Sequence, residues 1–117
     1  MSTFSDLGLA DIVVREVEGA AVVECRGEHG TTTRNEVAAL LERLVAEHEV
    51  VVVDVSEARF VDSSFVNNLF IANGFAGKKG ARFRVQYATA SSIRPVLELT
   101  GILDALACFR SREECLG

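Results

Sequence analysis

The chain has 117 residues, 49% of them hydrophobic and 25% charged, which suits a single globular domain over 1–117 and excludes a disordered chain. Its net charge of −5, from 17 acidic and 12 basic residues, argues against nucleic acid as a partner, because phosphate backbones demand clustered Lys and Arg. No stretch approaches the ~20 apolar residues of a membrane span.

Residues 1–10 are expected to form a flexible arm, without the basic start and apolar run of a secretory leader. Ile12, Val13, Val14 and Val17 read as a strand, Glu18-Gly19 as a turn, and Ala20–Cys25 as a second strand, together a hairpin. A polar loop, Gly27–Thr33, follows. Thr33 and Glu36 have the spacing of a capping box. Val37, Leu40, Leu41, Leu44 and Val45 then recur at helical spacing and predict a helix over about 34–48.

Val50–Val55 is short, β-branched and almost wholly apolar, the pattern of a strand buried on both faces of a parallel sheet. A strand, a helix and this strand imply a right-handed crossover. Arg59–Val61 leads into Asp62-Ser63-Ser64, and a second helix is predicted over about 64–76, with Gly77 and Gly80 at its stop. Ala81–Tyr87 alternates as a strand. A third helix begins near Ser92, with Pro95 in its first turn, and ends at Gly101. Phe109 lies in a last strand, and Ser111 caps a short terminal helix to Leu116. This order predicts an α/β fold with a mixed β-sheet of about four to five strands and about four helices.

The cysteines, Cys25, Cys108 and Cys115, are odd in number and lack CxxC spacing. Free thiols of a reducing compartment are expected rather than a disulfide framework or zinc site, and with them a cytoplasmic location. Asp54 and Asp62 are placed so that they could approach each other at the carboxyl end of the buried strand, and paired carboxylates can do acid–base work. No suitable histidine, metal cluster or phosphate-binding loop accompanies them. His48 closes the first helix, and His29 reads as a solvent-facing loop residue. A non-enzymatic protein without a cofactor is therefore expected.

Asp62-Ser63-Ser64 lies where a strand hands over to a helix. Ser and Asp are favoured there as caps. A phosphoryl group on Ser64 would also meet the free N–H groups and positive dipole end of the helix. On the second helix, Phe65, Val66, Leu69 and Phe70 fall on the side expected to face the sheet. Asn67, Asn68, Ile71 and Phe75 fall on another, leaving Ile71 and Phe75 partly exposed. Either the terminal helix or the N-terminal arm covers them, or they form an apolar patch rimmed by amides that suits a protein interface.

The run Val50-Val-Val-Val-Asp54-Val-Ser56 with Phe60-Val61-Asp62-Ser63-Ser64, and the later Ile93-Arg-Pro-Val-Leu-Glu-Leu-Thr-Gly101-Ile102, resembles the signature of STAS domains. The resemblance covers roughly Ile12–Leu116 and implies a regulatory module that binds an anti-sigma factor, a serine kinase. The implied phosphoacceptor is Ser64, two residues after Asp62, with Ser63 as second choice. Asp62 and Asp54 would support it. The implied partner contacts are Glu28, His29, Thr31, Ser63, Phe65, Asn67, Asn68, Ile71 and Phe75. Monomer or weak dimer is the expected state. The chain departs from the family pattern at Phe65 and Asn67, where small residues are usual, and at His29-Gly30, where an Asp is common. Bulk at Phe65 favours an alternative: a scaffold that is not phosphorylated, or a subunit of a stress-sensing or lipid-transport complex.

Overall fold

The computed structural model describes residues 2–4 and 9–117. Of the arm expected over 1–10, residues 1 and 5–8 lie outside the described residues. Ser2–Phe4 forms strand β1, and Leu9 opens strand β2 (Leu9–Val17). β2 turns back through Glu18-Gly19, both at positive φ, into β3 (Ala20–Cys25). Such turns match the right-handed twist of paired strands.

The segment expected as a polar loop is more ordered than its composition suggested. Gly27–His29 is a strand, β4, followed by a 3-10 turn over Thr31–Thr33. Helix α1 (Arg34–Glu47) then packs Val37, Leu40, Leu41, Leu44 and Val45 inward. The capping box expected at its start is not formed: Thr33 makes no side-chain cap bond, because the 3-10 turn already continues into the helix. β5 (Val50–Asp54) and β6 (Ala58–Val61) lead to α2 (Ser63–Lys79), which starts one residue earlier and ends three residues later than predicted. α2 runs past Gly77 and stops at Gly80, whose φ of 81° suits a residue without a Cβ. Lys79 turns its ammonium back onto the last carbonyls of α1, Val45 and Ala46, where the negative dipole end favours a cation. β7 (Arg82–Gln86), α3 (Arg94–Leu99), α4 (Ile102–Ala105), β8 (Ala107–Phe109) and α5 (Arg112–Leu116) complete the chain. Pro95 sits in the first turn of α3, and Ser111 caps α5 by accepting from the Glu114 amide, both as predicted.

The described residues form a mixed sheet ordered β1-β2-β3-β5-β7-β8, one strand wider than expected because of β1. β1, β2 and β3 are antiparallel neighbours; β3, β5, β7 and β8 run parallel. A second sheet, parallel and two-stranded, pairs β4 with β6. Side chains alternate across a strand, and here this builds two cores. Val51, Val53 and Val55 join α1–α4 on one face. Val50 and Val52 join Ala20, Val22 and Cys115 of α5 on the other. All three cysteines are free thiols. Burial, with the nearby Asp54 carboxylate, pushes the Cys25 thiol up to about 12; burial takes Cys108 and Cys115 to about 11.

Candidate protein-interaction site

The parallel pairing of β4 with β6 sets His29 beside Val61 and so brings the 28–33 segment against the start of α2. The backbone amide of Asp62 donates to the His29 carbonyl (3.3 Å). Asp62 is the N-cap of α2, and its two carboxylate oxygens divide the work. Oδ1 accepts from the amides of Ser64 (2.9 Å) and Phe65 (3.1 Å) and from the Ser64 hydroxyl (2.6 Å). Oδ2 accepts from the Thr31 amide (3.1 Å) and the Thr31 hydroxyl (3.2 Å). The bond from the Ser64 hydroxyl, with those from the Phe65 and Thr31 donors, outweighs partial burial and holds the Asp62 carboxyl below the usual carboxylate range. One carboxylate thus caps a helix, anchors a separate loop and orients the Ser64 hydroxyl.

The residues expected at the contact surface divide into two groups. Glu28, Thr31, Ser63, Asn67, Ile71 and Phe75 are exposed, and Ser64 is half-buried. His29, Phe65 and Asn68 are buried, and all three are corrections to the expected contact set. His29 is no solvent-facing loop residue: as the inward position of β4 it points under the loop, with Nε2 2.6 Å from the Arg26 carbonyl. Its ring packs on Phe65, with centroids 5.5 Å apart. Phe65 therefore directs its bulk into the core and not outward at the Ser64 hydroxyl. Asn68 lies between the helices and donates to the Arg34 carbonyl (3.1 Å), at the exposed first turn of α1.

Ile71 and Phe75 are 47% and 40% exposed. They border a shallow groove of about 130 Å³ between α1 and α2, with Ala38, Leu41 and Glu42 on the other bank. The terminal helix does not cover them, because α5 packs on the opposite face of the sheet.

Asp54 does not join Asp62. It lies on the α5 face, where it receives Arg112 at 2.7 Å and the Ser56 amide at 2.9 Å. Its expected support of Ser64 is thereby corrected: an even-numbered position on β5 points away from α2. Glu24, Asp54 and Gln86 stand in register on three adjacent parallel strands. Arg112 donates to all three, reaching Gln86 at 2.6 Å and Glu24 at 3.2 Å. Burial pushes Glu24 up, but Arg112 and Arg15 outweigh it and leave the carboxyl lowered. Burial opposes the charge on Arg112, yet Asp54 and Glu24 raise its pKa further. The sequence did carry a signal for this cluster: a carboxylate interrupting a buried apolar run needs a cation nearby.

Among the described residues, no helix is long and apolar enough to cross a membrane. Three solved structures illustrate what the fold resembles. An anti-sigma factor antagonist from Mycobacterium paratuberculosis is 24% identical, with a TM-score of 0.77 over 90% of this chain and 89% of that one. The phosphorylated form of the Bacillus cell fate determinant SpoIIAA is 15% identical, with a TM-score of 0.66 over 90% and 96%. A sulfate transporter family protein from Wolinella succinogenes is 14% identical, with a TM-score of 0.66 over 86% and 84%. No curated protein matches the sequence. The family described as STAS domain matches residues 11–115. With nearly its whole length so matched, and with neighbours that are anti-sigma factor antagonists, the chain belongs to the STAS domain family.

Proposed function

We propose that this protein is a cytoplasmic regulatory module of the anti-sigma-factor-antagonist kind, which binds a protein partner and does not itself catalyse a reaction. The partner is an anti-sigma factor with serine kinase activity, and Ser64 is the residue it phosphorylates. The observation that carries this reading is the 2.6 Å bond from the Ser64 hydroxyl to Asp62 at the start of α2. A hydroxyl so held has a fixed direction, and a phosphoryl group there meets the positive end of a helix of 17 residues. Ser63 is exposed and has no such anchor from Asp62 among the described bonds, so it remains second choice. The inward turn of Phe65 removes the bulk that favoured a scaffold without phosphorylation.

The contact surface runs from Glu28 and Thr31 through Ser63 and Asn67 to Ile71 and Phe75. The reading is tested by titrating the protein with the cognate kinase in a calorimeter. Ile71→Asp with Phe75→Asp weakens binding at least tenfold while leaving the melting temperature within a few degrees. Unchanged affinity in that variant would remove this face from the interface.

A further inference from the structure

α1 and α2 lie side by side and run in the same direction. Asn68 of α2 donates to the Arg34 carbonyl at one end and Lys79 to the Val45 carbonyl at the other, with the same offset of 34 residues. Ser64 stands one turn before Asn68 on the same stripe of α2, so its half-buried side chain shares the side turned to α1. By that offset Arg34 lies one turn, ~5.4 Å, beyond the level of Ser64. Thr31 holds Asp62, and the Arg34 carbonyl holds Asn68, so the chain between them passes alongside Ser64. Helical side chains lean toward the N-terminus of their helix, and an extended arginine outreaches one turn. A group built on Ser64 Oγ is therefore within range of the Arg34 guanidinium.

Arg34 is exposed, and its side chain makes no hydrogen bond or ion pair with the described residues. It opens α1, where the positive end of the helix dipole disfavours a cation. The placement opposes stability, and no described partner offsets it. A phosphoserine at 64 supplies what is lacking. Its Oγ has no proton to give Asp62, whose carboxylate lies 2.6 Å from that oxygen in the unmodified protein, so the two anions repel. The phosphoryl group is driven off Asp62, and Arg34 is the cation at the start of the neighbouring helix. Two other carboxylates share this end of the molecule. Glu28 lies on β4, and Glu36, two residues from Arg34, faces another side of α1.

We propose that Arg34 receives the phosphoryl group of phosphorylated Ser64 in an ion pair within the chain. Phosphorylation then changes the contact face twice. It adds a dianion at Ser64, and it withdraws the Arg34 guanidinium from any carboxylate of the partner. The inference rests on the reading of Ser64 as the acceptor, but its test installs the phosphate without a kinase. Failure of the pairing leaves that reading standing, and failure of the kinase to modify Ser64 leaves the pairing measurable.

The test places phosphoserine at position 64 of the full chain during translation, by codon suppression, and follows the phosphate by ³¹P NMR from pH 5 to 8 at constant ionic strength. A cation beside the phosphate favours the dianion and lowers its second pKa, ordinarily about 6. Arg34→Gln, an exposed and structurally mild change, is expected to raise that value by about 0.5, as suits the loss of one solvent-exposed ion pair. Arg34→Lys, which keeps the charge but not the planar fork, recovers most of the difference. Arg43→Gln is the control: Arg43 lies on the opposite side of α1, and salt screens a charge at that distance, so the value moves by less than about 0.1. No rise in Arg34→Gln, or an equal rise in both glutamine variants, would overturn the proposal.

Discussion

Asp62 fills the space where a side chain on Gly30 would stand: a Cβ there would lie 2.4 Å from Asp62 Oδ2 and 2.9 Å from its Cγ. The carboxylate cannot swing aside cheaply, because Ser64, Phe65 and Thr31 all hold it. The absent side chain is what lets the 28–33 loop close on the start of α2.

Gly30→Ala is therefore expected to destabilise the fold by about 1–3 kcal/mol, the usual range for an overpacked contact. Urea denaturation measures it. In an Asp62→Ser background most of that cost disappears, because the clashing atoms are gone, and the double-mutant cycle isolates the coupling. A cost that is independent of Asp62 would place the strain elsewhere in the loop.

Loss of the cap has its own pH signature. Asp62→Ala is expected to cost about 1–2 kcal/mol near neutrality. The folded-state pKa of Asp62 is depressed, so its contribution is present above the unfolded value of about 3.9 and is lost as pH falls through the folded value. The difference in urea midpoint between wild type and Asp62→Ala should thus hold from pH 7 to about 5 and shrink toward zero as acid protonates the carboxyl. A difference that stays constant to low pH contradicts an ionised cap.

Arg112 fastens α5 to the sheet through Glu24, Asp54 and Gln86. Arg112→Met leaves two partly buried carboxylates without their cation and is expected to cost about 2 kcal/mol, below the 3–5 of a fully buried pair because Arg112 is partly solvated. Hydrogen exchange should rise first in α5 and β8, with the β2–β3 hairpin remaining protected. Uniformly raised exchange would mean that α5 is not a separate unit.

The parts of the fold that were legible in the sequence are those with one strong period. The inward stripe of α1 and the apolar run Val50–Val53 each admit one reading, and the structure agrees with both. β4 is not legible because three residues, Gly27-Glu28-His29, are too few for an alternation to register, and His29 pairs with Val61, 32 residues on. The same shortness hid the burial of His29. Asp54 and Asp62 lie close in sequence, but the alternation of β5 sends Val53 and Asp54 to opposite faces, so Asp54 falls on the α5 side, away from the Asp62 turn. Asp62 and Ser64 were legible as a cap because that chemistry is local; Thr31 as the loop's contribution to it was not, because the contact spans 31 residues.

Intact mass measurement after incubation with the cognate serine kinase and Mg-ATP tests the central claim most directly, using wild type, Ser64→Ala and Ser63→Ala. The expected result is one added phosphate on wild type and Ser63→Ala and none on Ser64→Ala. A phosphate that persists in Ser64→Ala, or none on wild type while the complex still forms, contradicts Ser64 as the acceptor.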